Sequence, residues 1–251
     1  MRRNETIDWN LFNGDTYRHR HLNKLGKEDA WIAEQALLFL DEADIQTDQF
    51  KVCADIGTGP SLVMSLVCAP YAERIELVEP GIQNTTYLKR TTADPDILRR
   101  EWSDALHVIN SHKSAKKEHL DAATLLSKRA VVRQAGAQDL KPDTYDMVTS
   151  IFCAESATED QAECSELIKR IVDSLKPGGV FISAYIEHSK AWPDFEEKDG
   201  TVNMQKFPSA NISQAWLEAQ FEGSNIQVRR CPHKPAFRAG YTGVLLAVGT
   251  K

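Results

Sequence analysis

The chain has 251 residues, 42% of them hydrophobic and 26% charged, and a formal net charge of −6. That length holds one α/β domain with a buried core and appendages but not two full-sized domains, and no apolar run approaches the roughly 20 residues that span a bilayer. The acidic balance argues against a protein that holds nucleic acid through its phosphates; Lys113, Lys116 and Lys117 form the one basic run, and it reads as a solvated helix start. The first residues are charged and then polar, unlike the apolar stretch of a secretory signal, so a cytoplasmic location is expected. Cys53, Cys68, Cys153, Cys164 and Cys231 are odd in number and scattered through apolar segments, and read as reduced core thiols.

In chain order, Ile32, Ala36, Leu37 and Leu40 recur at helical spacing and predict a helix over 28–41, preceded by an aromatic and basic stretch from Trp9 to Lys27. Strand and helix patterns then alternate: strand 51–56, helix 61–69, strand 74–79, helices 83–90, 96–110 and 116–128, and strand 130–134. The series continues with strand 145–151, helix 161–175, strand 180–185, helix 212–221 and strands 226–231 and 242–248. Such alternation implies an α/β fold of Rossmann-like type, a mostly parallel seven-stranded sheet with helices on both faces. Only Pro232 to Tyr241 joins the last two strands, too little for a helical crossover, so the chain is expected to finish in an antiparallel pair. Residues 1–50 are expected to form a helical lid, and 51–251 the core with an insertion at about 186–211.

The first strand ends in Asp55-Ile56-Gly57-Thr58-Gly59-Pro60-Ser61, a turn whose two glycines let a ligand approach the backbone at the carboxyl edge of the sheet. A dinucleotide fingerprint would have a third small residue where Leu62 stands, and a phosphate-binding P-loop would need a Lys-Ser/Thr pair that is absent. S-adenosylmethionine carries no phosphate and fits this turn better. The second strand ends at Glu79, 22 residues beyond Gly57, where a carboxylate can accept hydrogen bonds from both ribose hydroxyls. Leu175-Lys176-Pro177-Gly178-Gly179-Val180 stops a helix and turns into a strand.

That last string, with Tyr145-Asp146-Met147-Val148-Thr149-Ser150, resembles the fifth- and fourth-strand motifs of class I S-adenosylmethionine-dependent methyltransferases. Trp9 to Lys24, Asp55 to Ser61, Val78 to Asn84 and Ile151 to Ala157 narrow the resemblance to the nicotinamide, phenylethanolamine and indolethylamine N-methyltransferase branch, over nearly the whole chain. The resemblance implies S-adenosyl-L-methionine as cofactor, S-adenosyl-L-homocysteine as product and a small-molecule acceptor; composition and residue spacing give no reason to expect nucleic acid, a membrane or a metal as partner. It also implies an N-terminal segment that closes over the cofactor, with Tyr17 on the methionine carboxylate and Asn84 as a second polar contact on the ribose side. Asp55, Gly57, Thr58, Gly59, Pro60 and Glu79 complete the expected cofactor site, together with Ala137, Gln138 and Ile151.

Three positions depart from the family. A second N-terminal tyrosine falls on Leu22, with His21 beside it; the acidic residue facing the adenine amine falls on Gly136, leaving Gln138 or Asp139, or else backbone and water, to replace it; and the acceptor insertion, 187–211, matches only loosely. The family match places Glu187 at a carboxylate that contacts the acceptor, and His188 or His21 are candidate bases. Glu155 is open between a ligand-facing role and a local cap, and Tyr185, Trp192, Phe195 and Phe207 between an aromatic pocket and packing. His19 and His21 alone are too few to ligate a metal.

The expected activity is methyl transfer to a small aromatic or indole-like amine, at nitrogen, with C-methylation of an indole ring as the alternative. Outside that class stand a nicotinamide-dependent oxidoreductase, disfavoured by Leu62 and the terminal strand pair, and a cofactor-binding module without turnover. The acceptor and the oligomeric state are not specified by the sequence.

Overall fold

A computed structural model describes the chain except residues 1–2, 13, 15–16, 19–21, 23, 113–120, 191–194, 197–201, 204–207 and 237–239; at 195–196 and 202–203 it describes the backbone only. Two short 3-10 turns, Asn4–Thr6 and Trp9–Leu11, precede helix α1, Lys27–Glu42. Ile32, Ala33, Ala36, Leu37 and Leu40 form the buried stripe of α1, as a 3.6-residue period requires. There follow β1 Phe50–Ile56, α2 Val63–Cys68, β2 Ala72–Glu79, α3 Ile82–Thr92, α4 Pro95–Glu101, α5 Ser103–Ser111, α6 Ala122–Arg129 and β3 Ala130–Gln134. The second half runs β4 Tyr145–Ile151, α7 Gln161–Asp173, β5 Leu175–Glu187, the small pair β6 Phe195–Glu196 and β7 Val202–Asn203, α8 Gln214–Gln220, β8 Gln227–Arg230 and β9 Gly243–Thr250.

The main sheet has seven strands in the order β3-β2-β1-β4-β5-β9-β8. The first five pair in parallel, and β9 joins β5 and β8 antiparallel, as the short final connection predicts. Alternate residues of the central strands feed two cores, one on each face. On β5, Val180, Ile182, Ala184 and Ile186 face the core that contains α1, while Phe181 and Tyr185 face the one that contains α7 and α8. On β9, Val244, Leu246 and Val248 alternate with Leu245 and Ala247 in the same way. Strand order reverses between β1 and β4, and in open α/β sheets the crevice at the carboxyl ends of strands at such a reversal is where ligands bind.

Several elements differ from their sequence expectation for identifiable reasons. The helix predicted over 96–110 is two, because buried Trp102 leaves helical geometry at φ −122°, ψ 27°. The break lets α4 lie on α6 while α5 packs on α1. Strand β5 begins five residues before Val180: its partner on β4 advances only from Tyr145 to Met147 while β5 steps from Leu175 to Val180, so 176–179 buckle out of the ladder. Of the helix expected over 116–128, the described part is α6, capped by the Asp121 side chain on Thr124 N; Lys116 and Lys117 lie outside the described residues. Tyr185 is fully buried among core side chains, so of the two readings left open for it the structure gives packing. The side chains of Trp192, Phe195 and Phe207 lie outside the described residues.

Phe181 is fully buried, with its ring centroid 5.6 Å from that of Phe221. Phe181→Ala is expected to destabilise the fold by about 3–5 kcal/mol in chemical denaturation, the usual loss for a buried aromatic with its cavity left behind.

Candidate active site

The turn after β1 is held open by backbone conformations that suit glycine. Gly57 has φ +66° and Gly59 φ +57°, and a Cβ on Gly57 would lie 2.3 Å from Cys153 Sγ. The Gly57 and Thr58 amides donate to Val78 O at 2.8 and 3.2 Å, and Thr58 Oγ1 donates back to Asp55 O at 2.7 Å. These bonds join the turn to the tip of β2.

Glu79, at that tip, is buried. Its Oε1 accepts from Gly81 N at 2.8 Å and Asn84 Nδ2 at 3.1 Å, and its Oε2 from Gly59 N at 3.0 Å. Burial pushes its carboxyl above the ordinary glutamate range, and these three donors pull it partly back. Asn84 Oδ1 is buried and has no hydrogen-bond partner among the described residues. An acceptor left unmatched beside a carboxylate whose lone pairs are not exhausted is what a ligand diol requires.

Asp55 serves the frame of the site more directly than its surface. Its Oδ2 accepts from Ser65 Oγ on α2 at 2.5 Å and its Oδ1 from Thr149 Oγ1 on β4 at 2.9 Å. Burial raises its carboxyl to about 6, against the two hydroxyl donors.

Above these tips lies one cavity lined by every residue expected in the cofactor site: Tyr17, Asp55, Gly57, Thr58, Gly59, Pro60, Glu79, Asn84, Ala137, Gln138 and Ile151. Tyr17 is buried, its ring 5.4 Å from that of Phe12. Of the two side chains left open for the adenine end, Gln138 lines the cavity; Asp139 Oδ2 accepts from Gly136 N at 2.8 Å and closes its own turn. Asn4 spans this end, donating from Nδ2 to Gln138 Oε1 at 3.1 Å and accepting from Trp9 Nε1 at 3.0 Å.

The three expected catalytic residues stand differently. Glu187 is buried at the end of β5, where its Oε2 meets Arg230 Nη2 at 2.5 Å and accepts from Thr242 Oγ1 at 3.0 Å, while Gln214 N donates to Oε1 at 3.3 Å. His188 is exposed at φ +48°, with Nδ1 3.1 Å from Asn211 Oδ1. Neither belongs to the described cavity wall, and His21 lies outside the described residues. Glu155 takes the local role: its Oε1 accepts from Ile186 N at 3.0 Å and its carbonyl from Ala210 N at 2.7 Å.

The wall also contains residues that the sequence reading passed over. Phe152 and Cys153 follow Ile151, with Phe152 at φ +55°, and burial pushes the Cys153 thiol up to about 12. Met64, Ser156 and Asp29 are among the others. Asp29 had a readable signal, since with Ile32, Ala33 and Ala36 it stands on the apolar stripe of α1, an acidic residue heading a buried face.

Residues 10–251 match the sequence profile of the NNMT/PNMT/TEMT family. The chain belongs to this family. It is therefore an S-adenosylmethionine-dependent methyltransferase of the class I fold acting on small molecules, and the oxidoreductase alternative falls. No curated protein sequence matches. Among solved structures, the chain resembles the DhpI–S-adenosylhomocysteine complex at 13% identity and TM-score 0.53, over 94% of this chain and 93% of that one. A methyltransferase from Methanosarcina mazei aligns at 10% identity and TM-score 0.55, over 84% and 96%; a putative one from Listeria monocytogenes aligns at 14% and 0.50, over 86% and 99%. At these identities the likeness is one of fold. Among the described residues no helix is long and apolar enough to cross a membrane.

Gly57→Ala and Gly178→Ala separate strain from collision. Gly178 has φ +77° and nothing within 4 Å of an added Cβ, so its substitution should cost only about 1–2 kcal/mol and leave S-adenosylhomocysteine binding intact. Gly57→Ala adds the Cys153 collision, and should lose more stability in denaturant and lose binding in calorimetry.

Proposed function

We propose that this methyltransferase transfers the methyl of S-adenosyl-L-methionine to the nitrogen of a small aromatic or indole-like amine. The observation that carries the reading is the pairing of buried Glu79 with the unmatched Asn84 Oδ1 inside a cavity that Tyr17 helps close. Glu79 and Asn84 would take the ribose hydroxyls, the backbone of Gly57 to Pro60 would pass against the methionine part, and Tyr17 would take its carboxylate. Ala137, Gln138 and Ile151 line the part of the cavity suited to the adenine.

When bound, the cofactor supplies a sulfonium methyl that carries its own leaving group. The protein's work is alignment and exclusion of water. Phe12, Leu22, Ile32, Met64 and Phe152 give the wall apolar surface on which a flat ring can lie while water is displaced. An amine nitrogen needs only its free lone pair, whereas an indole carbon gains from a base close to the proton it sheds. His188 and Glu187, engaged by Asn211 and Arg230, stand off the described wall, so neither supplies such a base there.

Glu79→Ala should weaken S-adenosylhomocysteine binding by about 1–3 kcal/mol in titration calorimetry, through lost charge-assisted hydrogen bonds; unchanged affinity would remove Glu79 from the ribose site. The ionised form is the better acceptor for a ribose hydroxyl, and burial raises this carboxyl. Affinity should therefore fall on acidification while an ordinary glutamate is still ionised, and Glu79→Gln should flatten that dependence. Tyr17→Phe should weaken the same binding at an unchanged melting temperature. Mass spectrometry of products from tryptamine and 3-alkylindoles then separates N-methyl from C-methyl transfer.

A further inference from the structure

The described wall of the cavity carries three carboxylates, Asp29, Asp55 and Glu79, and among its described residues no lysine, arginine or histidine. Two of the three are spoken for within the protein: Asp55 by Ser65 and Thr149, Glu79 by Gly59, Gly81 and Asn84. Asp29 takes a hydrogen bond from the Gly26 backbone amide. It shares the wall with Leu22, Ile32 and Met64, side chains suited to a flat ring.

The start of α1 is built so that its adjacent acids diverge. Glu28 is buried and receives the Tyr241 hydroxyl at 2.7 Å on Oε1 and 2.6 Å on Oε2, with Ala236 N donating at 3.3 Å. That clamp ties the helix to the segment before β9. The next residue, 100° further round the helix, is turned to the cavity.

We propose that Asp29 is the acceptor-recognising carboxylate of this enzyme, holding the ammonium of a cationic aromatic ethylamine in the place the sequence alone assigns to Glu187, and taking up the proton that this nitrogen sheds before its lone pair attacks the methyl. The inference rests on the methyltransferase reading above and deepens it. Glu187, whose charge is matched by Arg230, is spent on joining β5 to β8. A cavity with this charge favours an amine over the corresponding amino acid, whose carboxylate would meet Asp29. Burial, with Glu28 adding its charge, pushes the Asp29 carboxyl up to about 7, so the ion-pairing form develops across neutral pH. Among the described residues, Glu28 acts on it by its charge from the same helix, and the other ionisable groups lining the cavity are Tyr17, Asp55, Glu79 and Cys153.

The test uses the full chain saturated with S-adenosylhomocysteine and compares tryptamine with its neutral counterpart 3-(2-hydroxyethyl)indole by calorimetry. The parent should prefer tryptamine by about tenfold or more at pH 8, as expected for a charge-assisted contact. Tryptamine affinity should rise from pH 6 to 8, and Asp29→Asn should erase both the preference and the pH dependence. Because the readout is a ratio of two ligands on one protein, partial misfolding does not imitate it. Asp29→Asn should melt no lower than the parent at pH 8, since a carboxyl whose folded pKa is raised loses stability as pH rises through that value. Absence of the preference in the parent, its survival in Asp29→Asn, or its loss in Glu187→Gln alone would overturn the assignment. S-adenosylhomocysteine binding to the parent reports the underlying reading separately: if that binding is present and the preference absent, only Asp29 is displaced.

Discussion

The reversal of strand order between β1 and β4 opens the gap in which this protein works, and a buried carboxylate spans the seam. Asp55, on β1, accepts from Thr149 on β4 and Ser65 on α2, so strand, neighbouring strand and following helix are joined at the floor of the crevice. Holding a carboxylate there is costly, which is why its proton affinity rises and why two hydroxyl donors are needed to offset the lost water. Just above it, the absence of a side chain at Gly57 lets Cys153 come within a distance that no other residue would permit. The turn that results is rigid, and it presents backbone instead of side chains to whatever occupies the crevice.

The acids near this crevice form a series graded by how completely the protein satisfies them. Glu187 has a full countercharge in Arg230, Glu28 has a phenol and an amide, and Glu79 has three donors. Asp29 has one backbone amide. Asp29 is half-buried, and an acceptor partly withdrawn from water and short of donors recovers what it lost from a ligand that brings them. The same logic applies to Asn84, whose Nδ2 is spent on Glu79 while its Oδ1 meets no donor among the described residues. The site is thus chemically directional: donors are expected from the ligand, and the described wall offers negative charge.

Much of this was legible because the relevant signals are local. The Gly57-Thr58-Gly59 turn, Glu79 at the next strand's tip and Tyr17 in the opening segment were each visible as short patterns, and all three line the cavity. The alternation of elements was readable because central strands buried on both faces are largely apolar and are followed by turns marked by Gly and Pro. Less was legible where contacts are made across the sequence. Nothing near Glu187 announces that Arg230, 43 residues later, will neutralise it; that follows from β9 lying between β5 and β8. Nor does the sequence near Trp102 show a helix break, since the cause is the packing of two helices on different neighbours.

Taken alone, then, the sequence determined the order of strands and helices, the antiparallel ending, the family, and the residues at the carboxyl tips of β1 and β2, because each depends on chain periodicity or on the stereochemistry of a few adjacent residues. Only the tertiary structure decided which carboxylates are satisfied and which face the cavity. Charge pairing depends on distances between segments far apart in the chain, and those distances exist only once both faces of the sheet are packed.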